Sequence, residues 1–424
     1  MPSPQPDESA EKHESKVQIN ALAASPAEVS AHPNSQSNWF VQSRPLDKTV
    51  LDEWVELHAC HTELPFYLHP NWLGSCNRSL FEDTLQVISV YRNFTDTDIN
   101  SNTAANDDLV RLHSGDKVDA ADAADAANRT NWLPSVMFAV RSNTGTSLLS
   151  PAHDHLTLGD LLIHPSLSTA ETTDAIAAVL QSDLAKRLEF GNLPNSSTLM
   201  CAVSGQDAPS RNNNLWVASA VRETAWFDLH ADAAVPSGKL RRNLNRLERK
   251  LKEKGGVEYR FTAGDELADA YQRFLQVEAS GWKGTTGTET AILGNAQLKE
   301  FYGALLESQD EKLQGSINEL YVNDQLVASQ FSLCTGRHWY ILKIAYDESY
   351  ADYSPGSLLL HALIQHAKNS GISRLSLVTN PPWAERWHPQ TETVWRLVRH
   401  GSPLLAMGAK AFNEFKSQVR QRIR

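Results

Sequence analysis

Tyr340–Lys368, YILKIAYDESYADYSPGSLLLHALIQHAK, is the stretch on which the fold turns. Its first residues read as a buried strand, its Asp- and Ser-containing middle as a turn, and Ser354-Pro355-Gly356-Ser357 as a helix start. An amphipathic helix is predicted over Ser357–Asn369. A strand leading into a helix whose first turn carries Ser and Gly can hold phosphate. The first N–H groups of a helix lack intrahelical partners, and the helix dipole favours an anion there. The same Ser-Pro pair is also an ordinary helix start with no ligand.

Upstream of this segment, three strands are predicted at Ile317–Val322, Leu326–Cys334 and Trp339–Tyr346, with Asn323-Asp324 turning between the first two. Further upstream, SGKLRRNLNRLERKLKEKGG from Ser237 is a strong helix signal. Leu240, Leu244, Leu247 and Leu251 make one apolar stripe, and Gly255-Gly256 ends it. A strand over Val257–Phe261 and helices over Glu266–Ser280 and Leu298–Glu307 lie between. A strand at Arg374–Leu377 closes the unit. Helix, strand, two helices, three strands, helix, strand is an α+β order, a mixed sandwich rather than a regular βαβ alternation.

The 424 residues are enough for two domains, and 41% hydrophobic residues with eleven Trp and thirteen Phe supply real cores. Residues 1–37 are expected to be a disordered tail. Residues 38–230 are expected to form an N-terminal domain and 231–395 the C-terminal one, with a basic helix over 396–424. Within the N-terminal domain, 95–130 is an Asp/Ala-rich insertion read as a solvated loop. Its strands are expected near Leu85–Tyr91, Val136–Val140, His153–Pro165, Leu199–Val203 and Trp226–Leu229. Its helices are expected at Leu51–His58 and Ala170–Arg187.

A net charge of −11 gives no support for a DNA-binding or membrane-binding chain as a whole. The four cysteines are scattered and suggest no disulfide framework. The first residues lack the apolar core of a secretory signal, and no run of about 18 apolar residues occurs. A cytoplasmic protein without stable membrane insertion is the expectation. His58, Cys60 and His61 have no fourth partner at metal spacing, His153-Asp154-His155 reads as a loop feature, and no Gly-x-Ser-x-Gly elbow is present. No metal is expected.

KLRRNLNRLERKLKEKGGVEYRF, EASGWKG and KIAYDESYADYSPGSLLLHALI, in this order, resemble the CelD/BcsL-like acyltransferases of the GNAT superfamily, which are related to Fem-type aminoacyltransferases. The segment before Ser237, with Trp54, Phe66, Trp72 and HLTLGDLLIHP, resembles the degenerate GNAT-like unit that precedes the main one in that family. The resemblance implies tandem GNAT-like units and acetyl-CoA or another acyl-CoA as donor. Its pantetheine would lie along Trp339–Tyr346, with Ile341 and Ile344, and its pyrophosphate on Tyr353, Ser354, Pro355, Gly356 and Ser357. It also implies a small-molecule acceptor, an amine or hydroxyl of a sugar or envelope-related compound, with polysaccharide biosynthesis as context. Two departures stand out. The Gln/Arg-x-x-Gly-x-Gly/Ala loop is reduced to Gly356, and where relatives carry Tyr-Lys after the last strand this chain has Trp383 and Ala384.

Acyl transfer to an amine needs a polarised carbonyl and a base. Asp347, Glu278 and Lys343 are the catalytic candidates. Asp347 also reads as a strand-end residue starting a turn. Trp282 and Lys283, flanked by Gly281 and Gly284, are acceptor-site candidates, together with Trp383 and with Arg242 and Arg246 on the basic helix. Two other functions remain open: a Fem-like transferase using aminoacyl-tRNA, and a binding protein on a decayed GNAT fold.

Overall fold

Near-continuous runs of residues buried on both faces over Gln314–Val322, Gln325–Thr335 and His338–Tyr346 make three antiparallel strands that form the middle of the C-terminal half. The turn between the first two holds Asn323 and Asp324 at φ 48° and 63°, the left-handed pair of a tight hairpin. The computed structural model describes residues 38–92, 133–143, 147–182, 184–204, 215–230, 236–281, 283–284, 287–308 and 310–423. The expected tail, the Asp/Ala-rich insertion and Trp282 lie outside them.

In chain order the described strands are β1 (Trp39–Pro45), β2 (Gln86–Arg92), β3 (Val136–Asn143), β4 (Ser147–Leu149), β5 (Leu162–Ile163), β6 (Arg187–Pro194) and β7 (Trp216–Asp228). They continue as β8 (Val257–Thr262), β9 (Gln314–Val322), β10 (Gln325–Thr335), β11 (His338–Tyr346), β12 (Arg374–Ser376) and β13 (Gln390–His400). The helices are α1 (Lys48–Ala59), α2 (Pro70–Ser79), α3 (Thr169–Gln181), α4 (Thr198–Ser204) and α5 (Gly238–Lys252). After them come α6 (Leu267–Ser280), α7 (Ala296–Leu306), α8 (Pro355–Asn369) and α9 (Pro403–Ile423).

The fold is mixed α/β, with one large mixed sheet flanked by helices. The strand order is β1-β2-β3-β4-β6-β13-β7-β12-β11-β10-β9-β8, with β5 paired to β3. Each half contains a parallel pair bridged by a helix: β4 and β6 through α3, and β11 and β12 through α8. β13, late in the chain, lies between β6 and β7 and pairs antiparallel with both.

Three cores follow from the faces of this sheet. α5 and α8 cover one face of the C-terminal half, where the α5 leucine stripe is buried as its spacing predicts. α6 and α7 cover the other, in a core that runs on into α1 and α2 of the N-terminal half. Trp72 of α2 meets Phe301 of α7 edge-on at 5.2 Å, and Phe66 meets Tyr340 of β11 at 4.8 Å. A third core lies under α3 and α4.

Several expectations need correction. Leu199–Val203 is helical, because the Asp160 carboxylate accepts the Thr198 N–H at 3.0 Å and Ser197 Oγ accepts the Met200 N–H at 3.1 Å, capping a short apolar run. α3 ends at Gln181, so Arg187 opens a strand instead of closing a helix. Of His153–Pro165, only Leu162–Ile163 is strand. Residues 396–400 belong to β13, and the basic helix starts at Pro403.

Candidate functional site

β11 pairs with β12 only through His338, Trp339 and Tyr340. Beyond Tyr340, among the described residues, β11 has no partner on that side, and its backbone N–H and C=O groups are open to a ligand. On its other side the register to β10 slips: Phe331 faces Lys343 and Ser332 faces Ile341, so Leu342 is an extra residue, a β-bulge. The bulge breaks the alternation of faces. Ile341 and Ile344 pack in the core under α8, whereas Leu342 and Ala345 pack in the core of α6 and α7.

At the end of this open edge stands the start of α8. Its N-cap Ser354 is left-handed (φ 51°) and its side chain makes no capping bond. Pro355 has no N–H, and the Ser357 N–H goes back to the Ser354 carbonyl at 2.9 Å. The Gly356 N–H, second in the helix, has no intrahelical acceptor. Arg386, from the turn Pro382–Trp387, donates to Ser357 Oγ and sets a guanidinium at the same helix end. Tyr353 packs partly buried beneath, beside Tyr350. α5 packs against the turn Glu348–Tyr353 that precedes α8, with Arg242 and Arg246 exposed along it.

The corresponding helix start of the N-terminal half is closed. Ser168 accepts the Glu171 N–H, and the Glu171 carboxylate returns to the Ser168 N–H at 2.9 Å, a complete capping box. That carboxylate occupies the place an anion would take.

A second group of side chains converges on the α6/α7 side of β11. Glu278, 3% exposed in the last turn of α6, receives the Ile292 N–H at 2.8 Å and the Lys283 ammonium at 3.2 Å. The loop carrying Lys283 folds back tightly: a Cβ on Gly284 would stand 1.9 Å from the Ala279 carbonyl oxygen. Lys343 lies with its ammonium 5.5 Å from the Tyr302 ring of α7. The Tyr302 hydroxyl shares a 2.7 Å hydrogen bond with His155 Nδ1, from the N-terminal half. Glu278, Gly281, Lys283 and Glu348 face Ile344, Ala345 and Tyr346 across a small cleft of about 30 Å³.

Burial sets the protonation of this group. It pulls the Lys343 amine down to about 8, helped by Lys283 and opposed by Glu278. Burial, with Lys343, His153 and Lys283, pushes His155 down to about 3, so its imidazole is neutral. Burial also lifts the Tyr302 phenol well above its usual range, which keeps it a donor.

The fold thus brings Glu278, Lys283 and Lys343 together. Asp347 is engaged as the cap of the turn Glu348–Tyr353: it accepts from the Ser349 N–H at 2.9 Å, the Ser349 hydroxyl at 2.7 Å and Gln325 at 3.1 Å. Trp383 is 39% exposed in the turn that carries Arg386. Tyr302 and Arg386 went unnoticed in the sequence, and His155 reads there only as a loop feature.

The description Acetyltransferase (GNAT) domain belongs to the family model that matches residues 238–387. The match runs from α5 through the turn that holds Arg386, so the open edge of β11, the α8 start and the Glu278–Lys343 cluster all fall within the matched residues. None of the curated proteins matches the chain. Among solved structures it is similar to L-PGS from Bacillus licheniformis, at 15% identity and a TM-score of 0.43, covering 65% of this chain and 85% of that one. A tandem GNAT protein from the clavulanic acid biosynthesis pathway gives 12% and 0.38, over 86% of this chain and 99% of that one. FemX gives 10% and 0.45, with the same coverages.

Proposed function

We propose that the chain is an acyl-CoA-dependent N-acyltransferase whose C-terminal half holds the donor and whose acceptor enters between the two halves. The observation that carries this is the open edge of β11 running into an uncapped, left-handed helix start beside Arg386. An extended pantetheine can hydrogen-bond to such an edge, and a pyrophosphate suits the free Gly356 N–H, a helix dipole and a guanidinium. The closed capping box of α3 supports the N-terminal half as the unit without a donor.

In the reaction the acceptor amine attacks the thioester carbonyl. The C–N bond forms, the C–S bond breaks and the thiolate leaves. Backbone N–H groups of β11 near the bulge stabilise the developing oxyanion. Glu278, a carboxylate within the same cleft, takes the amine proton, and Lys283 orients it from 3.2 Å. Asp347 is left to its structural role. The acceptor, a small envelope-related amine in this reading, enters the cleft beside Glu278 and Lys283. Among the described residues no helix is long and apolar enough to cross a membrane.

Titration calorimetry with acetyl-CoA, run beside filter binding of aminoacyl-tRNA, tests the donor. Saturable acetyl-CoA binding is expected. A Cβ at Gly356 would meet only Ile344 Cγ2, at 3.9 Å, so Gly356→Glu folds and sets a carboxylate where the pyrophosphate would sit. Acetyl-CoA affinity should then fall at least a hundredfold. No binding at millimolar acetyl-CoA sinks the proposal, and tRNA binding in its place establishes the Fem-like alternative.

A further inference from the structure

Lys343 is a half-buried cation on the α6/α7 side of β11. Among the described residues its ammonium has neither an ion pair nor a hydrogen-bond acceptor, only the face of the Tyr302 ring. The groups around it are Lys283 and Glu278 from α6 and its loop, Tyr302 from α7, and His155 and His153 from the N-terminal half. Both oxygens of Glu278 are engaged, by Lys283 and by the Ile292 N–H, and a second carboxylate, Glu348, lines the cleft beside Lys283. His155 is neutral. Among the described residues Lys343 is therefore left without a carboxylate of its own. Buried charges in proteins are paired, because an unpaired one loses its hydration without compensation.

We infer that the acceptor carries an anionic group, a carboxylate or a phosphate, which pairs with Lys343 while the acceptor's amine faces Glu278. This rests on the acyl-transfer reading and narrows it to anionic amines. The donor cannot supply that anion from its pyrophosphate, since α8 packs on the opposite face of the sheet from α6 and α7. The bulge at Leu342 is the device that turns Lys343 toward the acceptor side.

The test is competitive labelling of the full chain with acetic anhydride, read at Lys343 by peptide mass spectrometry. Lys252, an exposed lysine on α5, serves as internal reference. With Lys343 near 8, its labelling at neutral pH exceeds that of Lys252. Glycine or inorganic phosphate at tens of millimolar should protect Lys343 several-fold, shift its labelling profile to higher pH and leave Lys252 unchanged. Which of the two protects better separates carboxylate from phosphate. An inert Lys343, or labelling indifferent to both anions, overturns the inference. If acetyl-CoA still binds in that case, the donor reading stands without it. Protection by anions in a chain that ignores acetyl-CoA would overturn the donor reading alone.

Discussion

An amine taken out of water, with a second amine beside it, weakens the fold that holds it, and Lys343 makes that cost measurable. Its pKa falls from 10.5 to about 8, so the native state binds its proton less tightly than the unfolded chain does. Below pH 8 both states are protonated and the native state carries the whole penalty. Between about 8 and 10.5 the penalty fades, and stability rises with pH. The full gap corresponds to roughly 3 kcal/mol, and solvent screening of a half-buried group reduces it to about 1–2 kcal/mol. Lys343→Met should therefore raise the urea midpoint at pH 7 and lose most of that gain by pH 10. A gain independent of pH would trace to packing instead. Glu278, Lys283 and Lys343 were each legible in the sequence because they flank a glycine-bounded loop and a strand end. The chain distances hid the rest. His155 and Tyr302 are 147 residues apart, and their 2.7 Å contact exists only because the two halves pack. Asp347 showed the reverse: its turn-starting pattern was as visible as its catalytic one, and two hydrogen bonds from Ser349 engage it in the turn, with a third from Gln325 of β10.

Two helices with Ser at the N-cap have opposite uses at the scale of the element. Ser168 closes α3 with its own side chain and Glu171, whereas Ser354 leaves α8 open. Ser168→Ala should cost about 1 kcal/mol in denaturant titrations, the usual worth of a cap, and leave acetyl-CoA affinity unchanged. A loss of affinity would place donor contacts in the N-terminal half. The contrast was partly readable, since Ser168 is followed three residues later by Glu171 and Ser354 by Ser357. Strong periodicity made α5, α8 and the three central strands legible, and short apolar runs did not. Leu199–Val203 became a helix because of a capping carboxylate nearly forty residues upstream, a contact that local pattern does not contain.

The whole molecule departs furthest from what the sequence suggests. A change of composition near Ser237 reads as a boundary between two domains, yet the sheet runs unbroken across it. β13 was hidden because Arg396, Arg399 and His400 look like the start of a basic helix. In the structure Arg396 pairs with Glu189 of β6, and Arg374 with Glu392 at 2.9 Å. A chain ending at residue 389 would leave the edges of both β6 and β7 unpaired. It should be insoluble or aggregate in size-exclusion chromatography, while full-length protein elutes as a defined species. A soluble, cooperatively unfolding truncated chain would show that the N-terminal half completes itself without β13.

The position of β13 also bears on biosynthesis. The ribosome releases β6 about 200 residues before the strand that must lie beside it, an interval of roughly 10–40 s at ordinary elongation rates. Through that interval a nascent chain presents an unfilled slot in its sheet, flanked by apolar Leu188, Phe190 and Leu193. Such a chain is a natural client for chaperones acting during translation, and slow codons before residue 390 would prolong its exposure.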